Sequence, residues 1–403
     1  MTEKAAEQSA LGIALSGGGV RAAAFHAGVL RYLAERRRLE EVVHVSSVSG
    51  GSLFVGMVFC LSGYAWPTSE AYLSEVLPRF RQISTTQSLQ WAALRRLIFN
   101  PFNWRFLLSR ANVLAQAIEA TWGVCGELAA VDDLPTWSIN CTTGETGRRF
   151  RFKRMTMGDY ELGYANVETF SLAKAMAISA AFPSGIGPLS VKTKDFEWEK
   201  RPGEWGQGQD NPVPFAPPFK RLHLYDGGLY DNLGIEPLFD MGRQALKADE
   251  APERQAKFLL VSDAGAALAR KPIPHPLNPL RFKRIADIAL DQTRSLRVRA
   301  LMNFLQREPE CGAYVGIGTA ANASIRRFAE GREAMAARLQ AYGWLSAAEA
   351  RLAATHRTTL CRMTESSFDL ISRHGYETAK WNLELIAGWA AQYQAAELTG
   401  LAA

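Results

Sequence analysis

Two strand–turn–helix units follow one another at the start of the chain, and they restrict its fold more than any other feature. Leu11-Gly12-Ile13-Ala14-Leu15 is an apolar run of strand length, and Ser16-Gly17-Gly18-Gly19 is a turn. Arg21 to Arg38 then carries a helical stripe of Phe25, Val29, Leu30 and Leu33, with Arg36-Arg37-Arg38 at the end where cations suit the helix dipole. The second unit opens on the β-branched run Val42-Val43-His44-Val45, turns at Ser46-Ser47-Val48-Ser49-Gly50-Gly51-Ser52, and continues into the apolar run Leu53 to Leu61. This order predicts a parallel sheet with helices packed on it. Such sheets place ligands at the C-terminal ends of their strands. The turns around Gly18 and Ser49 are therefore expected to open on one edge.

At 403 residues the chain is long enough for one large α/β domain or two ordinary ones. Its hydrophobic share of 47% and charged share of 21% fit a substantial core. Cys60, Cys125, Cys141, Cys311 and Cys361 are dispersed with no C-x-x-C pair, which argues for a reducing compartment and against disulfides or a zinc site. The segment Met1 to Glu7 lacks the pattern of a secretory signal, and Leu53 to Trp66 is too short and glycine-broken to span a bilayer. A cytoplasmic location is expected. A net charge of +6 and an isoelectric point near 9.1 suit an anionic membrane surface, a nucleic acid, or no particular partner. No zinc-finger, helix-turn-helix or RNA-binding signature accompanies the charge, so nucleic acid is not expected.

Residues 67–134 are predicted to be helical. Within them Trp91 to Phe99 and Phe102 to Leu108 mix aromatics with arginines. Such a segment lies in a membrane interface, covers an apolar pocket, or forms a buried hairpin with snorkelling arginines. Residues 137–142 and 149–152 flank Gly144-Glu145-Thr146-Gly147 as a hairpin. Ser171 to Ala181 is an alanine-rich helix stopped by Phe182-Pro183. Residues 195–219, with Pro202, Gly203, Gly206, Gly208, Pro212, Pro214, Pro217 and Pro218, are expected to be a long surface loop. Strands are predicted at Arg221 to Tyr225, Lys257 to Ser262 and Tyr314 to Ile317, a basic helix at Arg281 to Arg307, and mostly helix beyond.

Chemistry is suggested by three of the turns. Ser49 sits where an abrupt strand-to-helix turn exposes a hydroxyl above a helix N-terminus, whose unpaired N–H groups suit an oxyanion. The nucleophile elbow G-x-S-x-G reads here Ser47-x-Ser49-x-Gly51, with serine in the first glycine's place. A plain βα turn of small residues fits the same stretch. A serine nucleophile needs a base, and none of the six histidines stands at a glycine-marked strand end. A triad through His275 stays open. Asp226, heading Asp226-Gly227-Gly228, could instead reach Ser49 directly, although an Asx-type capping turn explains that motif equally well alone. Gly17-Gly18-Gly19-Val20-Arg21 would turn N–H groups toward an anion. The same stretch matches the dinucleotide fingerprint as Gly17-x-Gly19-x-x-Ala22, but no acidic residue follows the next strand to hold a ribose.

In this order, Gly17-Gly18-Gly19-Val20-Arg21, the elbow at Ser49 and Asp226-Gly227-Gly228 resemble the patatin-like phospholipase family. Ala180-Ala181-Phe182-Pro183 and Asp231-Asn232-Leu233-Gly234-Ile235 look like further family features. The resemblance implies a three-layer patatin-like α/β fold: a central, mainly parallel sheet flanked by helices, a helical insertion and a helical C-terminal region. It implies a catalytic domain over 11–265, with the insertion at about 63–134 and the proline- and glycine-rich loop at 195–219. Residues 266–403 form the mainly helical region packed on it. It also implies hydrolysis of acyl esters of lipids by a Ser49–Asp226 dyad, without metal or other cofactor. Gly17, Gly18, Gly19 and Arg21 would form the oxyanion loop, with Gly18 and Gly19 giving N–H groups and Arg21 holding the loop or an anionic group of the substrate. The departure from the family pattern is Ser47, which fits if its φ is negative. The lipid is the expected partner, with peripheral contact to an anionic membrane surface, and some family members need an activator. The alternatives are a catalytically silent lipid- or partner-binding module on the same fold, and a dinucleotide-binding oxidoreductase.

Overall fold

The apolar run Leu11–Leu15 forms β1, wholly buried, and the β-branched run Val42–Val48 forms β2 beside it. In this computed structural model residues 10–183, 185–201, 211–249, 251–265, 267–268, 270–275, 277–278 and 280–389 are described. The strands are β1, β2, β3 (Thr136–Thr143), β4 (Arg149–Phe152), β5 (Thr156–Asp159), β6 (Gly163–Asn166), β7 (Leu189–Lys192), β8 (Trp198–Lys200), β9 (Val213–Pro214), β10 (Arg221–Asp226), β11 (Phe239–Asp240), β12 (Ala245–Leu246), β13 (Phe258–Asp263) and β14 (Gly312–Gly316). The centre of the main sheet runs in the order β14-β13-β1-β2-β3, and every pairing in it is parallel. Outward from β3 the order β4-β5-β6-β8-β9 is antiparallel. The described part of the expected loop at 195–219 thus includes two paired strands. Pro202, Gly203, Gly206 and Gly208 lie outside the described residues.

The register of β10 positions the site. β3 carries β4 along one flank and β2 along the other, with Val48 opposite Asn140. β10 runs antiparallel to β3 and takes up the flank where β2 stops, with Asp226 opposite Cys141. β2 and β10 therefore meet end to end alongside one strand, and the residues at their tips, Ser49 and Asp226, face each other. An aspartate at the end of a parallel strand would lie one or more strands away.

The main helices are α1 (Gly19–Glu35), α2 (Gly50–Leu61), α3 (Leu77–Thr86), α4 (Leu89–Phe99), α5 (Ala111–Ala117), α6 (Leu172–Ser179), α7 (Leu280–Arg307), α8 (Ala321–Arg327), α9 (Glu333–Gln340), α10 (Ala347–Thr355) and α11 (Glu365–Trp381). On one face of the sheet Ile13 and Leu15 pack with Phe25, Leu53 and Met176 from α1, α2 and α6. On the other face Ala14, Leu259 and Val261 pack with Leu233, Ile235, Leu301 and Phe304, so the 233–239 stretch and α7 form the third layer. α3, α4 and α5 form the helical insertion, and the described residues after 265 are mainly helical, with β14 among them. No described helix is long and apolar enough to cross a membrane.

α11 lies directly on α1. A Cβ on Gly28 would overlap the Ser372 carbonyl, and one on Gly375 would overlap the Phe25 carbonyl. The rings of Phe25 and His374, and of Tyr32 and Tyr376, meet edge to face at 5.7 Å at this seam. The C-terminal region is thus fitted to the helix that carries the triglycine turn. Gly28→Ala is expected to cost about 2 kcal/mol or more through overpacking, seen as a lower urea midpoint. An unchanged midpoint would contradict this packing.

Candidate active site

Ser49 stands between β2 and α2 with φ 52° and ψ −117°. A non-glycine residue held there costs roughly 1–3 kcal/mol, so its surroundings must over-determine it. They do so on three sides. Its N–H donates to the Ser179 hydroxyl at 3.0 Å, and its carbonyl accepts from Leu53 N–H at 3.0 Å to start α2. Behind it, Cβ atoms on Gly50 and Gly51 would overlap the backbone oxygens of Gly19 and Leu15. Only a glycine pair lets the elbow sit on the first turn. The Ser49 side chain is left half-exposed.

Ser47 lies inside β2 without a positive φ, so serine needs no glycine conformation there. It is buried in a relay of hydroxyls whose direction is fixed by its ends. Trp137 Nε1–H donates to Ser47 (2.8 Å), Ser47 to Ser52 (2.9 Å), Ser52 to Ser179 (2.8 Å), and Ser179 to the Asn140 carbonyl (2.7 Å). With its proton committed to Asn140, Ser179 is left as acceptor for Ser49 N–H. Neither Ser179 nor Asn140 stands out in sequence, because each is only one small polar residue among many.

The triglycine turn has Gly18 at φ 146° and Gly19 at φ 60°. Gly17 N–H is used, donating to the Asn232 carbonyl at 3.1 Å. Among the described residues, Gly18 and Gly19 N–H have no acceptor. Arg21 is buried and aimed away from the opening. Its Nε and Nη2 donate to the Ala264 carbonyl at 3.3 and 3.0 Å, and Nη1 to the His356 carbonyl at 2.8 Å. Of the two tasks expected of Arg21, its contacts are those of a loop anchor. Thr359 completes the brace by accepting Val20 N–H at 3.0 Å while its carbonyl lies against Gly19. Sequence reasoning assigned nothing to Thr359.

Asp226 is buried at the tip of β10. Its N–H donates to the Ala181 carbonyl at 3.1 Å and its carbonyl accepts from Thr142 Oγ1 at 2.9 Å. One carboxylate oxygen accepts Gly228 N–H at 2.7 Å, and the nearby Ser49 hydroxyl also favours the charged form. Burial pushes the Asp226 pKa up to about 7, held back in part by those two groups. The Asn232 carboxamide sits between the two turns, its oxygen against the positions where Gly17 and Gly228 would carry a Cβ. The histidines are engaged elsewhere. His26 pairs with Ser262 and Ser16, His44 with Ser138, His223 with Glu145, and His374 with Gly318. His275 caps its own turn at Leu277, and His356 faces Arg357.

The family model for patatin-like phospholipases matches residues 13–239, more than half of the chain. The chain belongs to the patatin-like phospholipase family. No curated protein matches it. Among solved structures, human GIVD cytosolic phospholipase A2 is similar at 17% identity and a TM-score of 0.50, over 96% of this chain and 60% of that one. The same human enzyme in complex with methyl gamma-linolenyl fluorophosphonate aligns at 15% identity and a TM-score of 0.48, over 98% of this chain and 59% of that one. VipD from Legionella pneumophila aligns at 14% and a TM-score of 0.29, over 63% of this chain and 50% of that one. This patatin-like chain thus spans about three-fifths of the human enzyme's length, and at these identities the likeness concerns the fold.

The Asp226 carboxylate has a stability consequence. Its folded pKa of about 7 lies above the unfolded carboxylate value of about 3.9. Folding then takes up a proton between those values, and the stability gained at low pH is lost as pH rises toward 7. Asp226→Asn should accordingly raise the thermal midpoint by several degrees above pH 7, with the gap narrowing toward pH 4. A lower midpoint for Asp226→Asn at pH 8 would contradict that sign.

Proposed function

We propose that this protein is a lipid acyl hydrolase that cleaves carboxylic esters of (phospho)lipids through Ser49 and Asp226. The observation that carries the reading is the end-to-end meeting of β2 and β10, which sets a strained serine against a buried carboxylate with a pKa near 7. A free aspartate is a weak base at neutral pH, whereas one raised to about 7 is matched to general-base work. Family membership supports the same reaction class.

In this mechanism Ser49 Oγ attacks the ester carbonyl while its proton passes to Asp226. The oxyanion forms against Gly18 and Gly19 N–H, beside the N-terminus of α2. Collapse breaks the ester C–O bond, and Asp226 passes its proton to the departing oxygen, which leaves as the alcohol. Water then gives a proton to Asp226 and attacks the acyl-enzyme, releasing fatty acid and restoring the Ser49 hydroxyl. Gly17 ties the loop to Asn232, and Arg21 anchors it without touching substrate. Residues 11–265 hold these reacting groups as a catalytic domain, and 266–403 brace the loop through Thr359 and His356.

A fluorophosphonate probe should label Ser49, and mixed phospholipids should release fatty acid. Asp226→Asn should lower the rate by at least about a thousandfold. Because Asp226 must be ionised to accept the proton, kcat/KM should rise with pH through about 7 and level off above it. Labelling at Ser49 with no acyl release in any lipid mixture would favour the silent binding module. A rate insensitive to Asp226→Asn would remove the dyad.

A further inference from the structure

The helical insertion ends in a tip whose apolar side chains point outward. Trp91, Leu94 and Ile98 share one exposed face of α4 at helical spacing. Beyond it the turn Pro101–Phe106 leaves Phe102 80% exposed, and Phe99 and Leu108 are 79% and 85% exposed. The tip is built in this form. Its buried Asn103 exchanges amide bonds with Gln116 of α5 at 2.9 and 3.0 Å and donates to the Arg96 carbonyl at 3.1 Å. That polar pair faces inward where an apolar anchor would be expected. The buried-hairpin expectation for this segment therefore does not hold.

The tip continues toward the site. Arg110 N–H donates to the Ile186 carbonyl at 2.9 Å, and Leu108 lies against Gly187. The carbonyl of Phe182 accepts N–H groups from the same turn at 185–187, and Phe182 adjoins Ala181, to which Asp226 is bonded. Across this turn Lys283 of α7 lies 5.8 Å from the Phe182 ring, and its neighbour Phe282 is 77% exposed. Protruding apolar residues from the insertion and α7 thus flank the turn that leads to the dyad. The charge pattern matches. Between Val76 and Ile118 there are six arginines and no carboxylate, and Arg281, Lys283 and Arg284 follow at the start of α7.

We propose that this surface docks on an anionic phospholipid bilayer, with Phe99, Phe102, Trp104, Leu107, Leu108 and Phe282 in the headgroup–acyl boundary and the arginines at the phosphates. Arg81 and Lys283 are paired with carboxylates, but separated apolar knobs with Arg95, Arg96 and Arg105 among them suit a fluid, negatively charged interface. Only the orientation of the site toward the lipid rests on the hydrolase reading; docking itself does not.

The test uses the full chain carrying Ser49→Ala, so that binding is read without turnover. It should sediment with phosphatidylcholine vesicles containing phosphatidylglycerol and far less with phosphatidylcholine alone. Phe102→Ser with Trp104→Ser and Leu108→Ser should lower partitioning by at least about tenfold. Arg95→Glu with Arg105→Glu should do likewise. Leu352→Ser, an exposed leucine of the C-terminal region, should change nothing. Circular dichroism on each variant keeps the fold in view. Equal binding to neutral and anionic vesicles, retained binding in the triple variant, or burial of the patch in a dimer by sedimentation equilibrium would overturn the proposal. Failure of Ser49 labelling in the wild-type chain would count only against the hydrolase reading.

Discussion

The site depends on backbone lying against backbone. The carbonyl of Gly19 occupies the space where a side chain at position 50 would begin, and those of Leu15 and Ser16 do the same at position 51. Two turns from different strands are thereby brought closer than any side chain permits, with Ser49 Cβ beside the place where a Gly17 side chain would begin. Contact of this kind has no slack. A shift of one turn moves the other, so both must be fixed from outside. The first is held by Asn232, Arg21 and Thr359, and the second by Ser179 and the hydroxyl relay behind it.

These supports come from all along the chain, which decides what the sequence disclosed. The βα units at 11–38 and 42–61 are legible because each is local: an apolar run, small residues and a periodic helix. Ser49 and Asp226 are legible because glycines mark both strand ends. The direction of β10 is not, since a strand of five or six residues reads the same whether it runs parallel or antiparallel. That direction turns two strand ends into a facing pair. Short strands such as β5, β6 and β7 carry too few residues to show alternation. Ser179, Asn140 and Thr359 act through single hydrogen bonds to main chain, and such partners leave no pattern in composition or spacing.

The relation between Ser49 and Asp226 is one of opposing costs. The serine is held at a positive φ, and the aspartate is kept from water with, among the described residues, Gly228 N–H and the nearby Ser49 hydroxyl to stabilise its charge. Either arrangement alone reduces stability. In the proposed mechanism they together give a poised base and a half-exposed nucleophile without an imidazole between them. The absence of histidine from the pair thus follows from burial: a carboxylate desolvated to this degree already titrates in the range where histidine ordinarily does.

The segment 356–363 connects this machinery to the insertion. His356 and Thr359 accept from Arg21 and Val20 of the triglycine turn, Leu360 accepts from Gln90 at the start of α4, and Met363 donates to Ser84 of α3. One short stretch therefore touches both the triglycine turn and the helix whose far end presents Phe99. A brace that served the triglycine turn alone would need no contact with α3 and α4. Because this one has both, the tip at 99–108 has a defined position relative to the dyad, and a lipid surface meeting the tip would meet the opening above Ser49 at a fixed angle.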